Sequence, residues 1–303
     1  MPQLGAARCC YLYFSGLIMY DIQMIKQILQ GMGVNPHRLR GQNFLIDPSV
    51  VERILDAAAL SSEDAVLEIG PGLGALSQRL AACSGRLLLL EIESAFAERL
   101  KDIFAFEPQV EVCCLDALTF DYEAYCREHN ISSYHLVANL PYNITTSLLQ
   151  HFLLAGGPWK RATLMLQREA AQRICSGPGR ENGPLSLLTQ YCADARLLFV
   201  VPPESFYPAP AVHSAVIQLS RRETPPVDVD LEPLMALVEA AFSQRRKQLA
   251  NTLSGAYQRQ DGMRFSREQI TAALLACDLS PSIRAEQMDL PAFAALLKHL
   301  QAK

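Results

Sequence analysis

The strongest constraint on the fold comes from the order of apolar and amphipathic segments between residues 50 and 206. Short apolar runs alternate there with stretches of helical periodicity, a pattern typical of β-α units around a parallel sheet. The runs that we predict to be strands cover 65–69, 87–91, 110–114, 135–138 and 163–167. Two later runs, 197–202 and 215–219, are predicted to close the sheet as an antiparallel pair. The sequence therefore predicts an α/β domain.

A second, smaller domain is predicted from the change of pattern after Arg222. Pro225 and Pro226 interrupt the chain, and the later segments carry helical periodicity only. A chain of 303 residues is long enough for one large domain and a smaller one. We predict an N-terminal extension at 1–33, an α/β domain at 34–222 and an all-helical domain at 223–303.

The predicted extension contains an apolar run at 9–20 that superficially resembles a signal peptide. The run is too short to span a bilayer, and no small-residue cleavage site follows it. Two interpretations stay open: an internal start at Met24 or Met32, or an additional surface helix. No other stretch is long and apolar enough for a membrane helix, so we expect no membrane association.

Charge and cysteine usage limit the class of protein. The formal net charge of −4 gives no overall attraction for a polyanion, although a local basic face can still bind one. None of the nine cysteines forms a CxxC pair, so the spacing of a metal site is absent. We therefore expect free thiols in a reducing cytoplasm and no metal. We also expect a monomer.

A glycine-rich turn follows the first predicted strand, at 70–74. Glycines such as Gly70 and Gly72 let the backbone approach a ligand closely, and the following helix offers unpaired N–H groups. Glu91 ends the next strand, where a carboxylate can accept the hydroxyls of a ribose. This pair fits either a dinucleotide or S-adenosylmethionine. Asp116, at the end of the third strand, favours S-adenosylmethionine because it can accept an adenine amino group, although it also fits a helix N-cap.

The tetrapeptide Asn139-Leu140-Pro141-Tyr142 follows the fourth strand, at the edge of the sheet where α/β proteins bind ligands. An exocyclic amine is a poor nucleophile because its lone pair is delocalised into the ring. The Asn139 side-chain carbonyl and a main-chain carbonyl near Leu140 can accept the two amine hydrogens and direct the lone pair towards a methyl donor. Tyr142 offers a face for an extruded base. These residues predict transfer of a methyl group to an amine.

With these motifs, the chain resembles the ribosomal RNA adenine dimethyltransferase family, in its small-subunit branch. The similar segments run from 41–45 through 66–74, 139–144 and 212–216 to 241–253. The resemblance implies a class I methyltransferase (Rossmann-like) sheet and a helical RNA-binding domain. It also implies that S-adenosyl-L-methionine is the cofactor and that two adjacent adenosines in the 3′-terminal hairpin of 16S rRNA are dimethylated on N6, within an immature small subunit. It places the cofactor against Asn43, Leu45, Gly70, Gly72, Glu91, Asp116 and Asn139, and the base between Tyr142 and Phe206.

Three consecutive cations, Arg245, Arg246 and Lys247, lie in a segment with helical periodicity. We predict one amphipathic helix over 242–253, with its apolar residues inward and these three cations outward. A charge run is often only a solvated face, but the resemblance favours contact with the RNA backbone.

Other functions remain open on the sequence alone. A 23S rRNA or DNA adenine methylase would use similar chemistry, but Leu140 and Asn143 favour the small-subunit branch. A non-enzymatic ribosome-assembly factor on the same fold would not need Glu91, Asp116 and Asn139 together. A nicotinamide dehydrogenase would leave the tetrapeptide unexplained.

Overall fold

The computed structural model describes residues 22–33, 43–155, 157–258 and 262–301. Contacts divide the chain into two compact units. The first comprises the residues up to Arg168 together with Leu197–Leu219, and the second comprises Glu169–Arg196 and the residues from Ser220 onward. Helices that precede the last two strands of the sheet therefore group with the C-terminal helices.

The central sheet has seven strands in the order β4-β3-β2-β5-β6-β9-β7. Four neighbouring pairs are parallel: β2–β3, β3–β4, β2–β5 and β5–β6. The strand order reverses between β2 and β5, and ligands of α/β sheets bind outside the carboxyl ends of the strands at such a point. The strands are β1 (Phe44–Leu45), β2 (Ala65–Ile69), β3 (Arg86–Glu91), β4 (Val110–Cys114), β5 (Tyr134–Asn139), β6 (Trp159–Gln167), β7 (Ala193–Val201), β8 (Phe206–Tyr207) and β9 (Ser214–Arg221).

The α/β prediction and all five parallel strands are confirmed. Observed and predicted bounds agree for β2 and β4, while β6 begins earlier, at Trp159. The central strands form because their residues are apolar on both faces: every residue from Leu87 to Leu90 is buried. The two strands predicted to close the sheet, β7 and β9, are neighbours at its edge.

Helices of the first unit cover the sheet. Helix α2 begins after Asp47, whose carboxylate accepts a hydrogen bond from the Ser49 N–H at 2.9 Å. The same carboxylate accepts the Ser205 hydroxyl at 3.0 Å, beside the small β1–β8 pair. The helices are α1 (Ile22–Gly31), α2 (Pro48–Ala58), α3 (Ser77–Cys83), α4 (Ser94–Ile103), α5 (Tyr122–Glu128) and α6 (Thr145–Leu154).

Helix α1 lies inside the segment that we predicted as an extension. Ile25 and Leu29 are fully buried and pack with Phe44, Leu73 and Phe96. This helix is therefore part of the first unit's core and not only a surface addition. The apolar run at 9–20 lies outside the described residues.

The second unit is helical around its own core, which includes Leu237 and Phe293. Its helices are α7 (Arg168–Ile174), α8 (Pro184–Cys192), α9 (Leu231–Phe242), α10 (Leu249–Ala256), α11 (Arg267–Ala276) and α12 (Leu290–Gln301). The prediction of one helix over 242–253 is wrong, because α9 ends at Phe242 and α10 begins at Leu249. Tertiary hydrogen bonds stabilise a non-helical conformation of the intervening loop. The Leu249 N–H donates to Ile283, and the Arg245 side chain bonds to other main-chain carbonyls.

Within the parts of the chain that the structure describes, the cysteines form no disulfide bond. The same residues contain no cluster of three or more potential metal ligands. Nor do they include a helix with the length and apolarity needed to cross a membrane.

Candidate active site

The glycine-rich turn after β2 has a backbone that requires glycine. Gly70, Gly72 and Gly74 all have positive φ angles, of 66°, 56° and 84°. The Gly70 N–H donates to the Leu90 carbonyl at 2.9 Å, and a Cβ atom on Gly70 would lie 3.3 Å from Cγ of Pro141. The turn and the tetrapeptide therefore approach each other closely at the carboxyl edge of the sheet.

Glu91 supports the glycine turn from the end of β3. Its Oε2 accepts the Gly72 N–H at 2.9 Å and its Oε1 accepts the Glu93 N–H at 3.0 Å. Burial raises the pKa of this carboxyl, and the hydrogen bonds from Glu93 and Gly72 act in the opposite direction. The carboxylate can thus hold the turn in place while it faces a ligand.

Glu68 is a second buried carboxyl at this edge, and the sequence analysis did not select it. It is 2% exposed, and its Oε2 has no hydrogen-bond partner among the described residues. Burial raises its pKa to about 8; the Ser77 hydroxyl opposes this shift, and nearby Glu91 adds to it. An unsatisfied buried oxygen on a cavity wall is suited to a ligand with a donor or a positive charge.

Asp116 follows β4, in the turn that precedes α5. Its Oδ1 accepts the Leu118 N–H at 2.9 Å within a turn, whereas the residue that caps α5 is Asp121, whose carboxylate accepts the Ala124 N–H. Asp116 also lines the cavity formed by the glycine turn and the tetrapeptide. Asp116 therefore lines the cavity without capping a helix.

The tetrapeptide is held by hydrogen bonds that leave two acceptors available. Nδ2 of Asn139 donates to the Asn43 carbonyl at 3.4 Å, which orients Oδ1 away from that carbonyl. The Leu140 N–H donates to Met165 of β6 at 2.9 Å. The hydroxyl of Thr145 donates to the Pro141 carbonyl at 2.9 Å, at the start of α6. Among the described residues, no donor is recorded for Asn139 Oδ1 or for the Leu140 carbonyl.

The two predicted stacking aromatics lie in different environments. Tyr142 lines the cavity, and its hydroxyl lies 2.5 Å from Ser214 Oγ. Phe206 does not line this cavity: it is 2% exposed and belongs to the core cluster that also includes Met165. Antiparallel pairing of β8 with β1 places Phe206 opposite Leu45 and explains its inward position. The structure therefore does not bring Phe206 together with Tyr142 in the cavity.

Most of the predicted site residues line one cavity at the carboxyl edge of the sheet. Side chains that the sequence analysis missed also line it, among them Ile25 of α1, Phe44 of β1 and Glu68. Glu68 lies within the segment 66–74 that contains the glycine turn, whereas nothing in the sequence around Ile25 indicates a role in the site. The predicted residues that line the cavity are Asn43, Leu45, Gly70, Gly72, Glu91, Asp116, Asn139, Leu140, Pro141 and Tyr142.

The predicted basic residues lie in the second unit, on the loop between α9 and α10. Arg245, Arg246 and Lys247 are all exposed. Nη2 of Arg245 donates to the Arg180 and Asn182 carbonyls, at 3.1 and 2.7 Å. Arg245 therefore differs from the other two cations, because its side chain forms hydrogen bonds within the protein.

Comparisons with known proteins find relatives along most of the chain. Proteins named ribosomal RNA small subunit methyltransferase A from Latilactobacillus sakei and Geobacillus thermodenitrificans are 37% and 38% identical over 275 residues. The alignments cover 89% of this chain and 92% and 93% of those relatives.

Two solved structures extend the likeness to the fold. The 23S rRNA methyltransferase ErmE matches with a TM-score of 0.64 at 26% identity, over 85% of this chain and 99% of that one. A dimethyladenosine transferase from Plasmodium falciparum matches with a TM-score of 0.68 at 23% identity, over 84% and 95% of the two chains. The sheet is thus of the class I methyltransferase type. The model of the family described as ribosomal RNA adenine dimethylase matches residues 34–283. This chain therefore belongs to the ribosomal RNA adenine dimethylase family.

Proposed function

We propose that this chain uses S-adenosyl-L-methionine to dimethylate N6 of two adjacent adenosines in the 3′-terminal hairpin of 16S rRNA. The substrate is the immature small ribosomal subunit in the cytoplasm. The observation that carries the proposal is the convergence of the glycine turn, Glu91 and Asp116 with the tetrapeptide at Asn139 in one cavity. Family membership supplies the reaction class.

The cavity has the features that a cofactor with a ribose, an adenine and a charged amino acid part requires. Glycines at 70 and 72 have no side chain, so a ligand can approach the backbone there. Glu91 lies where it can bind the ribose hydroxyls, and Asp116 lies where it can bind the adenine amino group. Buried Glu68 offers an unsatisfied oxygen for positive charge. When bound, S-adenosyl-L-methionine supplies an electrophilic methyl group on a sulfonium.

The tetrapeptide would activate the amine by position rather than by a strong base. Oδ1 of Asn139 and the Leu140 carbonyl accept the two amine hydrogens, which favours a pyramidal nitrogen with its lone pair towards the methyl group. The bond from Asn139 to the Asn43 carbonyl fixes which end of the amide faces the base. Tyr142 stacks on the extruded adenine, an interaction worth about 1–3 kcal/mol.

The helical second unit would bind the RNA backbone. Its exposed loop between α9 and α10 carries Arg246 and Lys247, and cations on a loop can reach phosphates without a fixed sequence preference. Arg245 belongs to the same basic segment, but its Nη2 donates to the main-chain carbonyls of Arg180 and Asn182.

The decisive experiment is mass spectrometry of 16S rRNA from cells with and without this protein. We expect N6,N6-dimethyladenosine at two adjacent positions to disappear without the protein and to return with the wild-type gene. The Asn139→Ala variant should not restore it. Unchanged 16S methylation in its absence would overturn the proposal.

Two alternatives are separated by the same samples. The likeness to ErmE favours a 23S rRNA methylase as the second candidate, and that enzyme would change 23S rRNA instead. If the protein were instead a non-enzymatic assembly factor, the Asn139→Ala variant would restore the maturation of small subunits as well as the wild type does.

A further inference from the structure

The turn that carries Asp116 is tied to the interior of the first unit by one tyrosine. Asp116 and Ala117 both line the cavity at the carboxyl edge of the sheet. Tyr122, the first residue of α5, is buried, and its hydroxyl donates to the Ala117 carbonyl at 2.8 Å. Among the described residues, no other donor reaches that carbonyl. A side chain of the core therefore holds the main chain next to Asp116.

The other hydrogen bonds of this turn are local. Oδ1 of Asp116 accepts the Leu118 N–H at 2.9 Å, and the Asp116 carbonyl accepts the Thr119 N–H at 3.0 Å. Both bonds lie within the turn, so they give it its shape but do not fix it to α5. The Tyr122 hydroxyl supplies that link.

Aromatic packing fixes the ring of Tyr122. The ring packs edge-on against Phe152 of α6, with centroids 5.9 Å apart, and against Phe120, with centroids 5.1 Å apart. Burial raises the pKa of Tyr122, and nearby Asp116 adds to the shift, so the hydroxyl keeps its proton and remains a donor. A phenylalanine would fit the same core position, but it has no group that could donate to the Ala117 carbonyl.

We propose that Tyr122 is a positioning residue for the selection of adenine: its hydroxyl fixes the turn so that the Asp116 carboxylate can accept the adenine amino group. This inference rests on the proposed function, which assigns the adenine to Asp116. A turn that is held in place before binding loses less conformational entropy when the ligand arrives. The contact with the amino group is therefore strengthened, and a base without that group gains nothing from it.

The main test compares two ligands that differ at this amino group, S-adenosylhomocysteine and its deaminated analogue S-inosylhomocysteine, by calorimetry. The wild type should prefer S-adenosylhomocysteine. Tyr122→Phe removes only the hydroxyl, so it should bind S-adenosylhomocysteine about two- to tenfold more weakly and the analogue nearly as the wild type does. Equal losses for the two ligands, or no loss for either, would overturn the proposal.

Tyr125→Phe is the matched control. It removes a hydroxyl from the same helix, one that donates to Glu111 at 2.6 Å, and Tyr125 does not line the cavity. This variant should keep the wild-type preference for S-adenosylhomocysteine. If both variants lowered the preference equally, a general loosening of α5 would explain the effect and the specific role of Tyr122 would be wrong.

Asp116→Asn tests whether Tyr122 acts through the carboxylate. The substitution alone should lower the preference for S-adenosylhomocysteine, because the amide is a weaker acceptor than the carboxylate. Adding Tyr122→Phe should then change the preference little further, since the contact that Tyr122 positions is already impaired. A further loss as large as that of Tyr122→Phe in the wild type would contradict a role through Asp116.

Hydrogen exchange in the cofactor-free protein separates this inference from the proposed function. The amides of Leu118 and Thr119 should exchange faster in Tyr122→Phe than in the wild type, because the turn opens more often, and at the wild-type rate in Tyr125→Phe. If the wild type binds S-adenosylhomocysteine while Tyr122→Phe leaves exchange and preference unchanged, only the role of Tyr122 fails. If the wild type binds neither ligand, the proposed function fails and the role of Tyr122 fails with it, whatever the exchange rates are.

Discussion

The hydroxyl of Tyr142 lies 2.5 Å from that of Ser214, which joins the loop after β5 to the start of β9. Ser214 is fully buried, so its hydroxyl is fixed in the interior. Tyr142 is only partly buried and lines the cavity. The contact therefore holds the tyrosine ring at its oxygen, in the position where a base would stack.

Two substitutions that remove this contact should have equal effects. Tyr142→Phe and Ser214→Ala each delete one hydrogen bond, worth about 0.5–1.5 kcal/mol, so we expect each to lower the single-turnover rate by roughly two- to tenfold. Tyr142→Ala also deletes the stacking face and should cost about 1–3 kcal/mol more. A rate for Tyr142→Ala equal to that of Tyr142→Phe would show that the ring does not contact the base.

Asn139→Ala should abolish methyl transfer, because the variant lacks the side-chain acceptor for the amine. Cofactor affinity should stay within about tenfold of the wild type, since most of the cavity wall is unchanged. Calorimetry with S-adenosylhomocysteine and methyl incorporation into small subunits measure the two effects separately. Full methyl incorporation would remove the catalytic assignment.

Asn43→Ala is the matched control for Asn139→Ala. The bond from Asn139 ends on the Asn43 main-chain carbonyl, which an alanine retains. This variant should therefore keep the orientation of the Asn139 amide and raise the KM for the cofactor more than it lowers kcat. An equal loss of kcat in both variants would show that the Asn43 side chain, rather than its carbonyl, organises the amide.

The sequence predicts those parts of the site whose geometry is local. The glycine turn needs positive φ angles, and Glu91 and Asp116 follow from the strand ends, so neighbouring residues suffice to identify them. The helical periodicity of 243–248 predicts a helix, but the segment is a loop. Its Arg245 side chain is hydrogen-bonded to carbonyls that are distant in the sequence, which local periodicity does not show. Likewise, only tertiary packing shows that Ile25 reaches the cavity and that register with β1 turns Phe206 inward.

Phe206 gives a test of that last difference. Because the ring is buried in the core, Phe206→Ala should lower the free energy of unfolding by about 3–5 kcal/mol, measured by urea denaturation. Phe206→Leu retains much of the apolar volume and should keep methyl transfer within about tenfold of the wild type. A well-folded Phe206→Leu variant with a much larger loss would show that the aromatic ring itself meets the base.

Glu68 should make the stability of the cofactor-free protein fall as pH rises. Its pKa is raised from an ordinary value of 4.5 to about 8 in the folded protein, chiefly by burial. Between these values the folded state holds a proton that the unfolded state has lost, so stability decreases through this window. Glu68→Gln keeps the shape of the neutral acid and removes the ionisation. The variant should therefore melt at a higher temperature than the wild type at pH 8.5, and at nearly the same temperature at pH 4.5.

Glu98→Gln is the control for this comparison, because it removes an exposed carboxylate of the same unit. It should give no difference that grows with pH, because its exposed side chain is in contact with water in both the folded and the unfolded chain. A constant offset between wild type and Glu68→Gln at every pH would mean that Glu68 is ionised in the folded protein. Some donor or cation would then have to satisfy its buried oxygen. If the difference in melting temperature grows with pH instead, the Glu68 carboxyl is neutral in the cofactor-free protein. A positively charged ligand would then favour the loss of its proton.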